Sequence, residues 1–113
     1  MSEGKVNWQG KSGNTYSFEI FNIIFNFNPN QDGNYIFAKQ TQTGWDAVYI
    51  GEGDLKTRTS DEQHSKCAIR KGATHIHAHL NNNEKNRKAE ETDLLEYNTE
   101  AYHPTGCNIK IGG

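Results

Sequence analysis

Long apolar runs, prolines and cysteines are all scarce in this sequence of 113 residues. No apolar run approaches the roughly 20 residues that a membrane-spanning helix needs. Residues 1–15 are polar and lack the basic start and apolar core of an export signal. We therefore expect a soluble, cytoplasmic protein that does not associate with membranes. Two cysteines, Cys67 and Cys107, are too few for a disulfide scaffold, and in a reducing cytosol both are expected to be free thiols.

Large apolar side chains are also few, since Leu, Ile, Val and Phe together make up 20 of the 113 residues. That share is slightly below the ~20% at which disorder becomes a concern, but disorder also requires a large net charge. Here 12 basic and 14 acidic residues leave a net charge of −2, and Tyr and Trp add seven large side chains. We therefore expect one folded domain with a single core.

The small net charge hides an uneven distribution of charged residues. Residues 56–88 hold eight of the 12 Lys and Arg residues, against three acidic residues, so the rest of the chain is acidic. A basic middle segment is typical of a surface that binds a polyanion, although two solvated helical faces would give the same pattern. If the segment binds nucleic acid, we expect the contacts to come from Lys56, Lys66, Arg70, Lys71 and Arg87.

Alternating hydrophobicity in the first half of the chain predicts β-strands. Residues 16–27 alternate with a change of phase between Ile20 and Phe21, which predicts a bulge or two short strands. Residues 34–40 and 46–50 are two further extended runs that together predict a β-hairpin.

Helical and extended patterns alternate in the second half. They predict a short helix, a second helix, a strand and a long helix, over residues 55–58, 60–70, 74–80 and 83–100. Asp54 is placed to cap the first helix, and Ser60 with Gln63 forms a capping-box signature for the second. The buried side of the long helix is predicted to carry Leu94, Leu95 and Tyr97. Strands followed by helix, strand and helix favour an α+β fold.

Two tyrosines lie on the predicted hairpin, and further polar residues follow downstream. The set consists of Tyr35 in Asn34-Tyr35-Ile36, Tyr49 in Val48-Tyr49-Ile50-Gly51, Arg58 in Leu55-Lys56-Thr57-Arg58, and then His64, Glu91 and Asn108. In this order the set resembles the GIY-YIG nuclease family, over about residues 33–108. The resemblance implies a small antiparallel β-sheet flanked by helices, with a nuclease domain over 33–113 behind an N-terminal strand extension over 1–32.

The resemblance also implies an activity. Members of the family are DNA endonucleases that hydrolyse a phosphodiester with one divalent ion, usually Mg²⁺, for which Mn²⁺ can substitute. By resemblance, Tyr35 and Tyr49 face a shared cleft, Arg58 holds the scissile phosphate and Glu91 binds the metal. Tyrosine is a weak base, because its ordinary pKa of about 10 leaves little phenolate at pH 7. Water activation by a tyrosine is therefore expected to depend on the metal and on Arg58.

Three positions depart from the family pattern. Asn34 stands where the first motif usually has Gly, Glu52 stands where some members carry Lys, and His64 lies six residues after Arg58 rather than about one helical turn. By resemblance, His64 would assist water activation or contact phosphate, and Asn108 would support the site. The departures keep an alternative open, namely a catalytically weak nucleic-acid-binding domain that retains the fold.

Three histidines on one face of the predicted strand 74–80 suggest a different kind of site. Two histidines two residues apart on a strand can bind one Zn²⁺. The set of candidate ligands comprises His75, His77, His79, His103, Cys67 and Cys107. The spacing lacks a paired zinc motif, so we expect these histidines to form the polar face of a strand lining the DNA cleft. A zinc-bearing interaction module is a third possible function, and the oligomeric state and the DNA target stay open.

Overall fold

The structure, a computed structural model, describes residues 2–110, and its framework is one antiparallel sheet covered by helices on both faces. The strands are β1 (Lys5–Gln9), β2 (Thr15–Asn22), β3 (Asp32–Gln40), β4 (Trp45–Asp54) and β5 (His75–Leu80). The helices are α1 (Leu55–Thr59), α2 (Glu62–Arg70) and α3 (Glu84–Tyr97), followed by a 3₁₀ turn over Thr99–Ala101. The strand order is β1-β2-β5-β3-β4. This arrangement confirms the predicted α+β class.

No helix within residues 2–110 has both the length and the apolar character needed to cross a membrane.

The N-terminal strands belong to the same sheet as the hairpin. Strand β2 pairs with β5, and Glu19 lies opposite Ala78. The pairing runs in regular register through Ile20 and Phe21, so the predicted bulge or pair of short strands is wrong. Apolar residues occur in both phases because both faces of β2 are covered, with Phe18 in the core of the α3 side and Phe21 packed on the opposite side.

Side-chain caps separate the two short helices. Asp54 caps α1 as predicted, because its carboxylate accepts a hydrogen bond from the Thr57 amide at 3.0 Å. The predicted capping box at Ser60 is wrong, since Ser60 ends α1 and its hydroxyl donates to the Lys56 carbonyl. Asp61 caps α2 instead. The chain therefore restarts a helix between Arg58 and His64, which allows both side chains to reach the same region.

The sheet buries a different set of side chains on each face. One face, here called the α1/α2 face, includes Tyr35, Phe37, Ile76 and Ala78 packed against the two short helices. The opposite face, here called the α3 face, buries Trp8, Phe18, Ile36, Ile50 and Leu94. The fold is thus a three-layer arrangement with the sheet in the middle.

The buried side of α3 differs from the prediction. Leu94 is fully buried and Leu95 packs at the margin of the core, but Tyr97 is 52% exposed, so its predicted burial is wrong. Arg87 and Glu90 are buried in its place. The prediction placed apolar residues on the buried side of this helix. It was wrong because two charged residues, each with an ionic partner on the sheet, lie on that side.

The histidines of β5 do not form an exposed polar face. His77 is fully buried, its Nδ1 accepts a hydrogen bond from Trp8 Nε1 at 2.9 Å, and its ring lies 4.3 Å from that of Trp45. The pKa of His77 is lowered to about 4, mainly by burial and to a smaller extent by the nearby charge of His75. Because β5 is an inner strand, the expectation that its histidines line a DNA cleft is wrong for His77.

The two cysteines are joined. Cys67 of α2 and Cys107 of the C-terminal segment form a disulfide, with their Cα atoms 6.1 Å apart. The prediction of free thiols is therefore wrong, and neither cysteine is available for the zinc set considered above. A disulfide persists more readily in an oxidising than in a reducing compartment. The bond thus weakens the reason for expecting a cytoplasmic protein.

Reduction of this disulfide should destabilise the fold. The bond closes a loop across 40 residues, for which the loop-entropy model gives about 4 kcal/mol. We expect urea unfolding to show a lower free energy of unfolding in the presence of dithiothreitol. The double variant Cys67→Ser/Cys107→Ser is the control and should not respond to the reductant. Two alkylatable thiols in unreduced, urea-unfolded wild-type protein would contradict the pairing.

Candidate active site

Both tyrosines of the hairpin project onto the α1/α2 face of the sheet. Tyr35 on β3 is fully buried, whereas Tyr49 on the edge strand β4 is partly exposed, and their ring centroids are 6.1 Å apart. Tyr35 lies opposite Gly51 across the hairpin. The phenols are therefore neighbours, as the resemblance implies.

Two glycines of β4 make room for the polar groups of the site. A Cβ at Gly51 would collide with the hydroxyl of Tyr35. A Cβ at Gly53 would lie 2.8 Å from Nε of Arg58, and the φ of +130° at Gly53 is one that other residues rarely adopt. Because alternate residues of a strand face the same side, the two glycines form an open strip. The Tyr35 hydroxyl and the Arg58 side chain lie on this strip.

Four elements contribute to one electrostatic cluster. Burial raises the pKa of both Tyr35 and Tyr49. The negative charge of Glu91 raises the pKa of each phenol further, and the positive charge of Arg58 lowers it. Residues of β3, β4 and α1 meet here, since the phenols are 6.1 Å apart and Arg58 crosses Gly53, and Glu91 of α3 acts on them through its charge.

Glu91 is the carboxylate that faces this cluster. Burial raises its pKa, the nearby carboxylate of Glu52 raises it further, and Lys88 and Arg58 act in the opposite direction. Its neighbour Glu90 points to the sheet, where its carboxylate lies 2.5 Å from Nε2 of His79. Glu90 is therefore the carboxylate on the sheet side of α3, and Glu91 lies half-buried beside it.

A divalent ion could be held at Glu91. Within residues 2–110 no group of three or more His, Cys, Asp or Glu side chains is arranged to hold a metal. Mg²⁺ does not need such a cage, because it keeps several waters and accepts one or two carboxylates together with substrate phosphate. Glu52 is already paired with Arg87, so Glu91 is the carboxylate of this region that is left to bind an ion.

His64 lies against Tyr49. The two rings stack with their centroids 4.5 Å apart, and Nε2 of His64 is 3.5 Å from the Tyr49 hydroxyl. That distance is at the outer limit for a hydrogen bond, but catalytic contacts are often long before substrate binds. On the other side of the imidazole, Nδ1 lies 3.8 Å from the carboxylate of Asp61. The His64 imidazole therefore lies between the Asp61 carboxylate and the Tyr49 hydroxyl.

Asn108 supports the site from behind the strand. Its Oδ1 accepts a hydrogen bond from the Ile50 amide at 2.8 Å, and its Nδ2 donates to the Ile50 carbonyl at 2.9 Å. Ile50 lies between Tyr49 and Gly51 on the edge strand. Asn108 therefore acts as a positioning residue that satisfies the outer hydrogen bonds of β4, and it contributes no group to the cluster itself.

The predicted nucleic-acid contacts divide into two groups. Lys56, Lys66, Arg70 and Lys71 are exposed on or beside α1 and α2. Arg87, in contrast, is only 7% exposed and its Nε donates to Glu52 at 2.9 Å. This ion pair leaves no exposed guanidinium for a nucleic acid at position 87. It also neutralises Glu52, the residue found where some family members carry Lys.

Sequence reasoning missed two parts of the site. One is Asp61, which was overlooked because the cap of the second helix was assigned to Ser60. An Asp three residues before His64 is itself a signal for a helix cap. The other part is Gly53, which the sequence analysis did not single out. Its spacing of two from Gly51 was the available signal, since it indicates a close approach to the backbone from one side.

Replacing Asn108 should lower the free energy of unfolding. Asn108→Asp keeps the acceptor for the Ile50 amide but turns an oxygen toward the Ile50 carbonyl, which loses its donor. We expect a loss of about 1–3 kcal/mol, the usual cost of an unsatisfied buried polar group, measured by urea unfolding at pH 7. Ile109→Ala, at an exposed neighbour, is the control and should change stability by less than about 0.5 kcal/mol. Equal stability of Asn108→Asp and wild type would contradict the role of Asn108 in bonding both backbone groups of Ile50.

Comparison of the chain with models of protein families, with curated proteins and with solved structures finds no match.

Proposed function

We propose that the chain is a metal-dependent DNA endonuclease of the GIY-YIG type. The observation that carries this proposal is that the Tyr35 hydroxyl lies against Gly51, Arg58 crosses Gly53 and the Tyr49 ring is 6.1 Å from that of Tyr35, with the charge of Glu91 acting on both phenols. Two phenols, a guanidinium and a carboxylate supply a proton acceptor, a phosphate ligand and a metal ligand. Phosphodiester hydrolysis requires an activated water, stabilisation of charge on the non-bridging oxygens and help for the leaving oxygen, which these groups together with a bound metal could supply.

Tyr49 is the better placed phenol for activating water. Tyr35 is fully buried, so desolvation keeps it neutral. Tyr49 is partly exposed and borders His64. Nε2 of His64 would have to turn out of its stack with the phenol to accept the phenolic proton while the Tyr49 oxygen takes a proton from water. Free phenolate is then not required, which removes the difficulty raised by the high pKa of tyrosine.

Arg58 is placed to bind the phosphate. Its side chain is exposed and crosses Gly53, so its planar fork can present two N–H donors to a phosphate from the floor of the site. The exposed Lys56, Lys66, Arg70 and Lys71 would attract the DNA backbone, and this part of the binding should weaken with salt. Tyr35, whose hydroxyl lies on the same glycine strip, fixes the shape of the floor.

Glu91 would hold the metal. When bound, Mg²⁺ stabilises negative charge on phosphate oxygens and makes water more acidic. The carboxylate must be deprotonated to bind the ion, and burial beside Glu52 raises its pKa. Proton transfer through Tyr49 also becomes easier at higher pH. We therefore expect nicking activity to rise with pH.

The alternative is a DNA-binding domain with little or no catalytic activity. The raised pKa values of both phenols favour it, because they oppose phenolate formation. Incubation of supercoiled plasmid and of single-stranded DNA with Mg²⁺ or Mn²⁺ separates the two proposals. Binding without nicking under either ion would favour the alternative.

Removing the Arg58 guanidinium should reduce cleavage strongly. By analogy with the loss of one donor to a developing negative charge, Arg58→Ala should nick plasmid ~10²- to 10³-fold more slowly. Arg58→Lys should recover only part of the rate, because an ammonium cannot make the two-pronged contact. Lys85→Ala, which removes one exposed charge elsewhere, should cleave within a few-fold of wild type. A folded Arg58→Ala protein with the wild-type rate would defeat the assignment.

Glu91→Gln should abolish nicking while stabilising the fold at neutral pH. Because burial raises the pKa of Glu91, the charged carboxylate costs stability above that pKa, and below it the neutral carboxyl resembles Gln. The gain in Tm over wild type should therefore be present at pH 7.5 and vanish near pH 4, as measured by thermal unfolding. Glu84→Gln, at an exposed position, should show no such pH-dependent gain. A Glu91→Gln protein less stable than wild type at pH 7.5 would show that the carboxylate is not an unfavourable buried charge.

A further inference from the structure

A cleft of about 230 Å³ lies on the α1/α2 face and has no part in the mechanism above. Its apolar lining includes Phe21, Phe25, Phe27, Leu55 and Ala78. We call it the aromatic cleft. Most of these residues come from β2 and the segment that follows it, outside the part of the chain that resembles the nuclease family.

The walls of the aromatic cleft are rings and its rim is polar. Phe21 and Phe25 have ring centroids 4.6 Å apart, and each packs edge-on against Phe27 at 5.1 and 4.9 Å. The carboxylate of Glu19 and the amide of Gln31 are among the polar groups that line it. An apolar slot with hydrogen-bonding groups at its edge suits a flat, polar-edged ring.

The aromatic cleft adjoins the proposed phosphate site. Ala78, which lines it, lies directly opposite Tyr35 in the sheet, one strand spacing of about 5 Å away. Leu55, on another side, begins the helix in which Arg58 follows one turn later. Because β3 lies between β5 and β4, and Arg58 crosses Gly53 of β4, a base in the cleft and a phosphate on Arg58 would be about two strand spacings, ~10 Å, apart, which is within reach of neighbouring nucleotides of one strand.

We propose that the aromatic cleft binds one unpaired nucleobase of the DNA strand whose phosphate contacts Arg58. Aromatic rings accept any base by stacking, and carboxylate and amide groups can bond to base edges, as Glu does with the amino group of cytosine. The cleft is smaller than the roughly 300–1,000 Å³ of pockets for drug-sized ligands, which suits a single base. A paired base is inaccessible inside the duplex. The substrate class is therefore DNA with an unpaired nucleotide at the cut, an inference that rests on the proposed function.

The test is a binding measurement with the full chain in EDTA, so that no strand is cut. The probes are a fluorescein-labelled single strand of eight dC nucleotides, an abasic strand with the same phosphates, and a duplex of the same length. We expect the intact single strand to bind about 5- to 150-fold more tightly than the abasic strand, the range found when one base–aromatic stack is lost. The duplex should bind no better than the abasic strand.

Phe25→Leu ties the effect to the cleft. The change keeps an apolar side chain at a partly buried position and removes the ring. It should lower the preference for the intact over the abasic strand at least ~5-fold without weakening binding of the abasic strand. Ile69→Ala, at an exposed apolar residue outside the cleft, should keep the preference. A thermal melt of each variant identifies any loss of folding, and in that case Phe21→Leu is measured in its place.

The outcomes separate this inference from the proposed function. Equal binding of intact and abasic strands by wild type, or failure to bind either, overturns the base-binding cleft, even if plasmid nicking with Mg²⁺ succeeds. A base preference that the folded variant, Phe25→Leu or its replacement Phe21→Leu, retains also overturns it. A base preference lost in these variants, in a protein that nicks nothing under either ion, supports the cleft and rejects the nuclease.

Discussion

The close approach of two polar side chains to the backbone of β4 is the constraint on which the site depends. The hydroxyl of Tyr35 and the side chain of Arg58 occupy the space that a Cβ would need at Gly51 and Gly53. With a Cβ at position 51 the Tyr35 hydroxyl could not approach the edge strand, and with a Cβ at position 53 the Arg58 side chain could not cross it. The strip is therefore the physical reason why a buried tyrosine and a solvent-facing arginine share one location.

The edge strand that carries the strip is held in place from the outside. Asn108 bonds both backbone groups of Ile50, the Cys107 amide donates to the Val48 carbonyl, and the disulfide to Cys67 fastens the same segment to α2. Helix α2 in turn presents His64 to Tyr49. The covering of β4 also removes an exposed sheet edge, which would otherwise be a site for aggregation.

Polar pairs take the place of aliphatic side chains in the interior. The α3 face contains the pairs Arg87–Glu52, His79–Glu90 and Trp8–His77. Such pairs are costly to break, because removing one partner leaves a buried group unsatisfied. They explain how a chain with so few Leu and Val residues has a defined core.

Local pattern was enough to predict much of the fold, and long-range pairing was not. The hairpin, the helix after Asp54 and the long helix were expected from periodicity and capping, and the structure has all three. The burial of Arg87, the disulfide and the fully buried His77 each depend on a partner that is distant in sequence, which no local pattern reveals. For the site, the order of the polar residues pointed to Tyr35, Tyr49, Arg58 and Glu91. The spacing of Gly51 and Gly53 indicates a close approach to the backbone, but only the structure identifies Arg58 as the group that approaches Gly53.

Paramagnetic broadening by Mn²⁺ in the NMR spectrum of the labelled protein tests the central claim most directly, because it locates a bound ion without any turnover. The account predicts selective broadening of the Gly51 and Gly53 amides, the Arg58 side chain and the Tyr49 ring at substoichiometric Mn²⁺, and its loss in Glu91→Gln. Uniform broadening, or broadening centred on other residues and unchanged in Glu91→Gln, would contradict it.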